Sequence, residues 1–127
     1  MSRLRVGLVE DSERVRARLA EALAEIPNVE VAFAADTEGD AVRLLASERW
    51  DVLILDLQLR VGTGLGVLKA MQGLLAGDSH VTMVLTNYVF RQYRDRALAL
   101  GARYFFDKSH DIPAMRQVLA DLAAATA

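Results

Sequence analysis

The stretch WDVLILDLQLRVGTG, residues 50–64, indicates the fold through a short apolar run, and this run ends at a carboxylate. Residues 52–55 form a short, continuous apolar segment of the kind that builds a strand covered on both faces. Asp56 follows it directly. Burying a lone carboxylate is costly unless a partner offsets its charge. Asp56 is therefore either a turn residue in water or a group that meets partners at the end of a strand.

Similar apolar runs recur along the chain, and each is followed by a segment with helical periodicity. The predicted strands cover residues 4–9, 29–35, 52–55, 81–85 and 104–106. One predicted helix begins after Ser12 and ends before Pro27, and the others cover residues 41–48, 65–75, 88–100 and 112–122. Five β units, each followed by an α unit, predict a single doubly wound α/β domain with right-handed crossovers.

The composition describes an ordinary folded domain. The chain has 127 residues, of which 53% are hydrophobic and 25% charged, and it has the length of one domain, residues 1–127. A formal net charge of −2 gives no basic surface for nucleic acid or an acidic membrane. The absence of cysteine excludes disulfides, thiolate metal sites and thiol nucleophiles. Because the sequence has neither a signal-peptide core nor a membrane-spanning run, we expect a cytoplasmic location.

Polar residues follow four of the five predicted strands. Glu10 and Asp11 follow the first strand, Asp56 the third, Thr86 the fourth, and Lys108 comes just after the fifth. In open parallel sheets, ligand sites lie at the carboxyl ends of the strands, where the strand order reverses. We therefore expect three carboxylates, one hydroxyl and one ammonium to share one edge of the sheet.

Three carboxylates at one edge repel one another. At roughly 4 Å and an effective dielectric constant near 20, each like-charged pair costs about 4 kcal/mol. A hard divalent cation removes that cost, and carboxylate oxygens are ligands that Mg²⁺ prefers. We expect Glu10, Asp11 and Asp56 to hold Mg²⁺. A carboxylate such as Asp56 can also act as a nucleophile toward phosphorus.

The ordered set of strand-end residues resembles the receiver domain of bacterial two-component response regulators, over essentially the whole chain. The resemblance implies a flavodoxin-like, CheY-like (βα)5 fold with a five-stranded parallel sheet of order 2-1-3-4-5. It implies that Asp56 accepts a phosphoryl group from a sensor histidine kinase or phosphotransfer protein, and that Thr86 and Lys108 contact phosphoryl oxygens. It also adds the backbone carbonyl of Gln58 to the magnesium ligands.

The resemblance further implies a switch. Thr86 would move toward the phosphoryl group while Phe105 turns inward, changing the face formed by the fourth predicted helix, the fifth strand and the fifth predicted helix. A new hydrogen bond to a charged acceptor, worth ~1.5–3 kcal/mol, is enough to bias an element with two packings. The same face is a possible homodimer interface.

Three positions depart from the family's usual pattern, and one of them is Asn87, which is bulkier than the small residue that usually follows the threonine. Arg60 replaces a common proline in the loop after Asp56, and Ser109 replaces a common cis-proline after Lys108. A cis bond before a non-proline residue costs ~3 kcal/mol, so none is assumed before Ser109. Gln58 and Tyr88 resemble the positions that flank the attacking water during dephosphorylation. A large aromatic ring at Tyr88 predicts slow self-hydrolysis.

Other functions fit the sequence less well. An FMN carrier needs a phosphate-binding loop after the first strand, where this chain places an acidic pair. Gly62, Gly64 and Gly66 look like part of a dinucleotide fingerprint, but they follow the wrong strand, so we expect them to serve backbone turns. A phosphatase with an aspartyl nucleophile needs an acid where Gln58 stands, so we expect no enzyme acting on external substrates. The remaining alternative is a degenerate receiver that serves as a phosphorylation-independent binding scaffold.

Overall fold

Five parallel strands form one sheet in the order β2-β1-β3-β4-β5, which confirms the predicted α/β fold and strand order. The computed structural model describes residues 3–75 and 79–126. The strands are β1 (Leu4–Val9), β2 (Val29–Ala35), β3 (Val52–Leu55), β4 (Val81–Thr86) and β5 (Tyr104–Asp107). The strand order reverses between β1 and β3, so their carboxyl ends form the crevice in which a ligand site is expected.

Helices cover both faces of the sheet. They are α1 (Glu13–Ala24), α2 (Glu38–Ser47), α3 (Gly64–Ala70), α4 (Gln72–Leu75), α5 (Arg91–Ala99) and α6 (Ile112–Thr126). The predicted N-cap of the first helix is confirmed, because the Ser12 side chain accepts a hydrogen bond from the amide of Val15. No helix in the described part of the chain is both long and apolar enough to span a bilayer.

Alternation along the strands divides the hydrophobic core into two clusters. In β3, Leu53 and Leu55 pack with residues of α2 and α3, whereas Val52 and Ile54 pack with residues of α1 and α6. Successive strand side chains point to opposite faces, so a continuous apolar run such as residues 52–55 supplies both clusters at once. The core therefore holds β3 rigidly up to Leu55, the residue before Asp56.

Two predicted helices differ from the structure. The helix predicted over residues 65–75 is two helices, because Met71 leaves helical geometry at φ −97° and ψ 12°. The side-chain amide of Gln72 donates to the carbonyl of Leu100, which ties the second piece to the end of α5. The helix predicted over residues 88–100 begins only at Arg91, so Tyr88 lies in the loop that follows β4.

The glycines after Asp56 make room for close contacts, as their predicted backbone role requires. A Cβ atom at Gly64 would lie 2.2 Å from the carbonyl oxygen of Asp56, closer than any real side chain approaches. Gly62 has φ +81°, and Gly62 and Gly66 both lie against the side chain of Glu38. The Glu38 carboxylate fills this space and accepts a hydrogen bond from the amide of Thr63 at 2.9 Å.

Candidate functional site

Backbone hydrogen bonds beyond the strand ends bring the predicted site residues together. The amide of Asp56 donates to the carbonyl of Val9 at 2.9 Å, which places Asp56 beside Glu10. The amide of Lys108 donates to the carbonyl of Thr86 at 2.9 Å. Glu10, Asp56 and Lys108 each lie one residue after their strand, and Thr86 is the last residue of β4, so all four lie at the same edge of the sheet.

Lys108 links the two buried carboxylates of the site. Its ammonium Nζ lies 2.5 Å from Oε1 of Glu10 and 2.5 Å from Oδ2 of Asp56. The side chains of Glu10 and Asp56 are only 2% and 7% exposed, so these contacts are shielded from bulk water. Charge-assisted hydrogen bonds of this kind are the strong ones in proteins. The charge at the end of the apolar run is thus met by an ammonium.

The pKa values of Glu10 and Lys108 both differ from their ordinary values. Burial raises the pKa of Glu10 above its ordinary value, and the hydrogen bond from Lys108 offsets this only in part. Burial works to lower the pKa of Lys108, but its hydrogen bonds to Asp56 and Glu10 outweigh burial and raise that pKa. The lysine is therefore held in its charged form.

The three predicted acidic ligands lie close enough to share one metal ion. Glu10, Asp11 and Asp56 each offer a carboxylate oxygen, and these atoms lie within 4.8 Å of one another. Asp11 is exposed, whereas the other two are buried. A cluster of hard oxygen donors, one of them open to solvent, fits Mg²⁺ in its chemistry. The residues present therefore suit the cation that the sequence implies.

The acidic cluster opens into a cavity of about 270 Å³. Lys108 lies on its wall together with Gln58 and Tyr88. The backbone amide of Gln58 donates to Oδ1 of Asp56 at 3.3 Å, which leaves this oxygen more weakly engaged than Oδ2. Asp56 therefore presents one carboxylate oxygen to a cavity large enough for a small anionic group.

The two predicted switch residues lie outside this cavity wall. Thr86 is fully buried, and its hydroxyl accepts a hydrogen bond from the amide of Tyr88 at 3.2 Å. Phe105 is half-buried and packs against the cluster that contains Leu53 and Leu55. Thr86 is thus engaged with the loop after β4 as an acceptor, and its own proton stays free to be donated to a group bound at Asp56.

Arg60, which replaces the usual proline, binds the neighbouring loop after β2. Its amide donates to the carbonyl of Asp36 at 3.0 Å, and its Nε lies 2.9 Å from the Asp36 carboxylate. The hydrogen bond from Arg60 lowers the pKa of Asp36 below its ordinary value. The amide of Glu38 donates to the carbonyl of Val61 at 2.9 Å. These contacts link the loop after Asp56 to the loop after β2.

Sequence reasoning missed two residues that position Glu10. The amide of Ser12 donates to Oε2 of Glu10 at 2.9 Å, and Arg16 donates from Nη1 to the carbonyl of Glu10 at 2.8 Å. Their place at the start of α1, directly after β1, is a signal that could have found them. The peptide bond between Lys108 and Ser109 is trans, since the described residues contain no cis peptide bond.

Comparison with known proteins agrees with this geometry. A family model described as "Response regulator receiver domain" matches residues 6–120. A protein-glutamate methylesterase/protein-glutamine glutaminase of Rhodospirillum centenum is 30% identical over 107 residues, covering 82% of this chain and 26% of that protein. A second such protein, from Carboxydothermus hydrogenoformans, is 34% identical over 71 residues, covering 56% of this chain and 21% of that protein. The chain thus spans about a quarter or less of the length of these curated relatives.

Solved structures with the same fold are numerous. The signal receiver domain of a putative response regulator, NarL, from Mycobacterium tuberculosis matches with a TM-score of 0.84 and 22% identity, covering 98% of each chain. The response regulator domain of Thermotoga maritima CheB matches with a TM-score of 0.77 and 24% identity, covering 94% of this chain and 90% of that one. Identities at this level support the fold alone.

Proposed function

This chain belongs to the response regulator receiver domain family of two-component systems, and on that premise we propose that Asp56 accepts a phosphoryl group. The observation that carries the proposal is the joint position of Lys108 and the acidic cluster around Asp56. The lysine lies 2.5 Å from one oxygen of Asp56, and Asp56 lines the cavity that Glu10 and Asp11 also line. Receiver domains of this family receive phosphoryl groups from sensor histidine kinases or phosphotransfer proteins, which are the partners we propose here.

The residues of the site divide the chemistry among them. Asp56 supplies the nucleophilic oxygen, and Lys108 neutralises charge on the phosphoryl oxygens, because phosphoryl transfer depends mainly on positioning and charge stabilisation. Glu10, Asp11, Asp56 and the carbonyl of Gln58 would hold Mg²⁺. When bound, Mg²⁺ supplies a positive charge that offsets repulsion between the carboxylates and the incoming phosphoryl group.

Thr86 and Phe105 would carry the switch. The Thr86 hydroxyl would move toward the phosphoryl group and donate its proton to a phosphoryl oxygen, and Phe105 would turn into the space that Thr86 vacates. The face that changes is formed by α5, β5 and α6, the elements predicted as the fourth helix, fifth strand and fifth helix. We propose this face as the output surface and as a homodimer interface. The gain of a hydrogen bond to a charged acceptor favours the change.

The remaining parts of the proposal concern the whole domain. Residues 1–127 would act as one receiver domain in the cytoplasm, without membrane or direct nucleic-acid contacts of its own. It would catalyse only its own phosphorylation and dephosphorylation. The alternative, a degenerate receiver used as a scaffold, predicts that Asp56 stays unmodified under every condition.

Intact-mass analysis after incubation with acetyl phosphate and Mg²⁺ tests the proposal. The wild type should gain one phosphoryl group, and Asp56→Asn should gain none. Asp95→Asn is the matched control, because Asp95 is an exposed aspartate on α5 that contacts Arg91 at 3.6 Å. An unmodified wild type would reject phosphoacceptance in favour of the scaffold, and undiminished modification of Asp56→Asn would reject the assigned residue.

Tyr88 gives a prediction about the lifetime of the phosphorylated state. Its side chain lines the acidic cavity beside Gln58, and its ring lies edge-on to Tyr93 at a centroid distance of 6.3 Å. A ring held there should hinder the water that attacks the phosphoryl group. We expect slow self-hydrolysis in the wild type and faster loss of the phosphoryl group in Tyr88→Ala, followed by intact mass over time. A half-life of seconds in the wild type would contradict this reasoning.

A further inference from the structure

We propose that the groove beside the acidic cavity binds the acyl tail of a small-molecule acyl phosphate, so that the domain prefers donors with an apolar acyl group larger than acetyl. The inference rests on the proposed function, since it concerns the donor that serves Asp56. It assigns a role to a second cavity, separate from the acidic one, that the phosphoacceptor site does not itself use.

The groove has a volume of about 210 Å³ and lies between α3 and the loop that precedes α5. Its described lining residues carry no charge. They are Leu57, Gln58, Thr63, Leu65, Tyr88 and Tyr93. Apolar side chains with a few neutral polar groups are typical of sites that bind small organic molecules. A charged tail would lose its hydration in this groove without gaining a partner, whereas a short alkyl tail would bury apolar surface.

The groove adjoins the acidic cavity. Gln58 and Tyr88 line both spaces, so they form the boundary between them. In an in-line displacement the leaving group departs on the side of the phosphorus opposite the attacking oxygen of Asp56. The resemblance places these same two residues beside the in-line position. An acyl tail that extends past Gln58 and Tyr88 would therefore lie in the groove.

Two aromatic contacts give the groove a firm wall. Tyr93 lies edge-on to Tyr88 at 6.3 Å and 90°, and it meets Phe90 at 6.1 Å and 65°. Tyr93 is also packed against the core cluster that contains Leu57. Edge-to-face arrangements of this kind are the preferred geometry of aromatic pairs. The wall therefore exists before a ligand arrives, which lowers the cost of binding.

The transfer balances without a further reactant. An oxygen of ionised Asp56 forms a bond to phosphorus, and the bond between phosphorus and the acyl oxygen breaks. That oxygen keeps the electron pair and leaves as a carboxylate, so no proton, oxidant or reductant is required. The side-chain amide of Gln58 and the hydroxyl of Tyr88 are neutral donors that suit a departing carboxylate.

The test compares phosphorylation rates with three donors: phosphoramidate, which has no organic tail, acetyl phosphate and butyryl phosphate. The two acyl phosphates have leaving groups of similar acidity, so their difference reports the tail. In the wild type, kcat/KM should be about tenfold higher for butyryl than for acetyl phosphate, the low end of what added methylenes contribute in an apolar site. Leu65→Ala and Tyr93→Ala should lose most of this preference, and Leu65→Ala should keep the wild-type rate with phosphoramidate.

Leu98→Ala is the matched control, because Leu98 is a partly exposed α5 residue that does not line the groove. It should keep the wild-type preference. Equal rates with butyryl and acetyl phosphate in the wild type would overturn the inference, and this comparison needs no variant. A preference that survives in both Leu65→Ala and Tyr93→Ala would overturn it as well. If no donor modifies Asp56, the proposed function itself fails, and the two failures are thereby distinguished.

Discussion

Replacing Lys108 by methionine tests whether the ammonium is what stabilises the buried carboxylates. Lys108→Met keeps the length of the side chain and removes only its charge and hydrogen bonds. Glu10 and Asp56 would then face each other without the cation that now lies 2.5 Å from each of them. We expect a lower free energy of unfolding at neutral pH.

The magnitude follows from the burial of the two carboxylates. Removing one partner of a buried ion pair costs about 3–5 kcal/mol, because it leaves an uncompensated charge. The side chains of Glu10 and Asp56 are 2% and 7% exposed, but they line a cavity that water can enter, so the lower end applies. A loss of about 3 kcal/mol corresponds to a fall of roughly 12 °C in Tm for a domain of this size.

Thermal and urea unfolding, followed by the fluorescence of the buried Trp50, measure this loss. Arg91→Met is the matched control, since Arg91 is 92% exposed and its nearest carboxylate oxygen, on Asp95, lies 3.6 Å away. An exposed pair of this kind contributes less than about 1 kcal/mol. The deficit of Lys108→Met should shrink as pH falls, because unpaired buried carboxyls take up protons more readily.

Two results would refute the reasoning. A free energy of unfolding for Lys108→Met within experimental error of Arg91→Met would mean that the ammonium does not stabilise the fold. A deficit that stays constant down to the acid unfolding range would mean that the loss comes from packing and not from charge. Adding Glu10→Gln to Lys108→Met should recover part of the loss, because one of the two uncompensated charges is then gone.

Three further predictions concern other parts of the chain. Gly64→Ala should destabilise the domain by about 1–3 kcal/mol in urea unfolding, because the added Cβ would lie 2.2 Å from the carbonyl oxygen of Asp56. Gly39→Ala is the control: its Cβ meets nothing within 4 Å, so this variant should be neutral or stabilising. Thr82→Val should raise Tm, because the buried Thr82 hydroxyl has no hydrogen-bond partner among the described residues and its desolvation costs about 1–3 kcal/mol. A lower Tm would argue for an unseen partner. The Asp111 carboxylate raises the pKa of His110, so the charged pair should stabilise the fold at intermediate pH. This stabilisation should be lost as pH rises through the raised pKa of His110, and also as pH falls through the lowered pKa of Asp111. NMR titration should therefore show a lower His110 pKa in Asp111→Asn, and an unchanged value would disprove the contact.

Hydrophobic periodicity was sufficient to predict the strands, because it is a local property of the chain. The five predicted strands are confirmed, since continuous apolar runs such as residues 52–55 suit strands buried on both faces of a parallel sheet. Their order, which the family resemblance implied, is confirmed as well. Helix bounds were less accurate. The predicted helix over residues 65–75 is broken at Met71, beside a hydrogen bond from Gln72 to Leu100, 28 residues away, which no local pattern predicts.

The candidate site, like the fold, was predicted only in part from the sequence. The types of residue at the strand ends indicated an acidic, metal-suited edge, and Glu10, Asp11 and Asp56 do lie together. The sequence did not predict the contacts that Lys108 and Arg60 make. The sequence indicated that Lys108 belongs at this edge but not that it links two carboxylates, and it gave no sign that Arg60 binds Asp36.

The sequence by itself determined which residues could meet, because parallel strands bring their carboxyl ends to one edge and the residue after each strand is read directly from the chain. Only the tertiary structure decided how they meet. The distances from Lys108 to its two carboxylates, the place of Thr86 under the amide of Tyr88, and the groove walled by Tyr93 all depend on loops from separate parts of the chain. Such contacts are set by packing between distant segments, where small shifts in position change which atoms come within hydrogen-bonding reach.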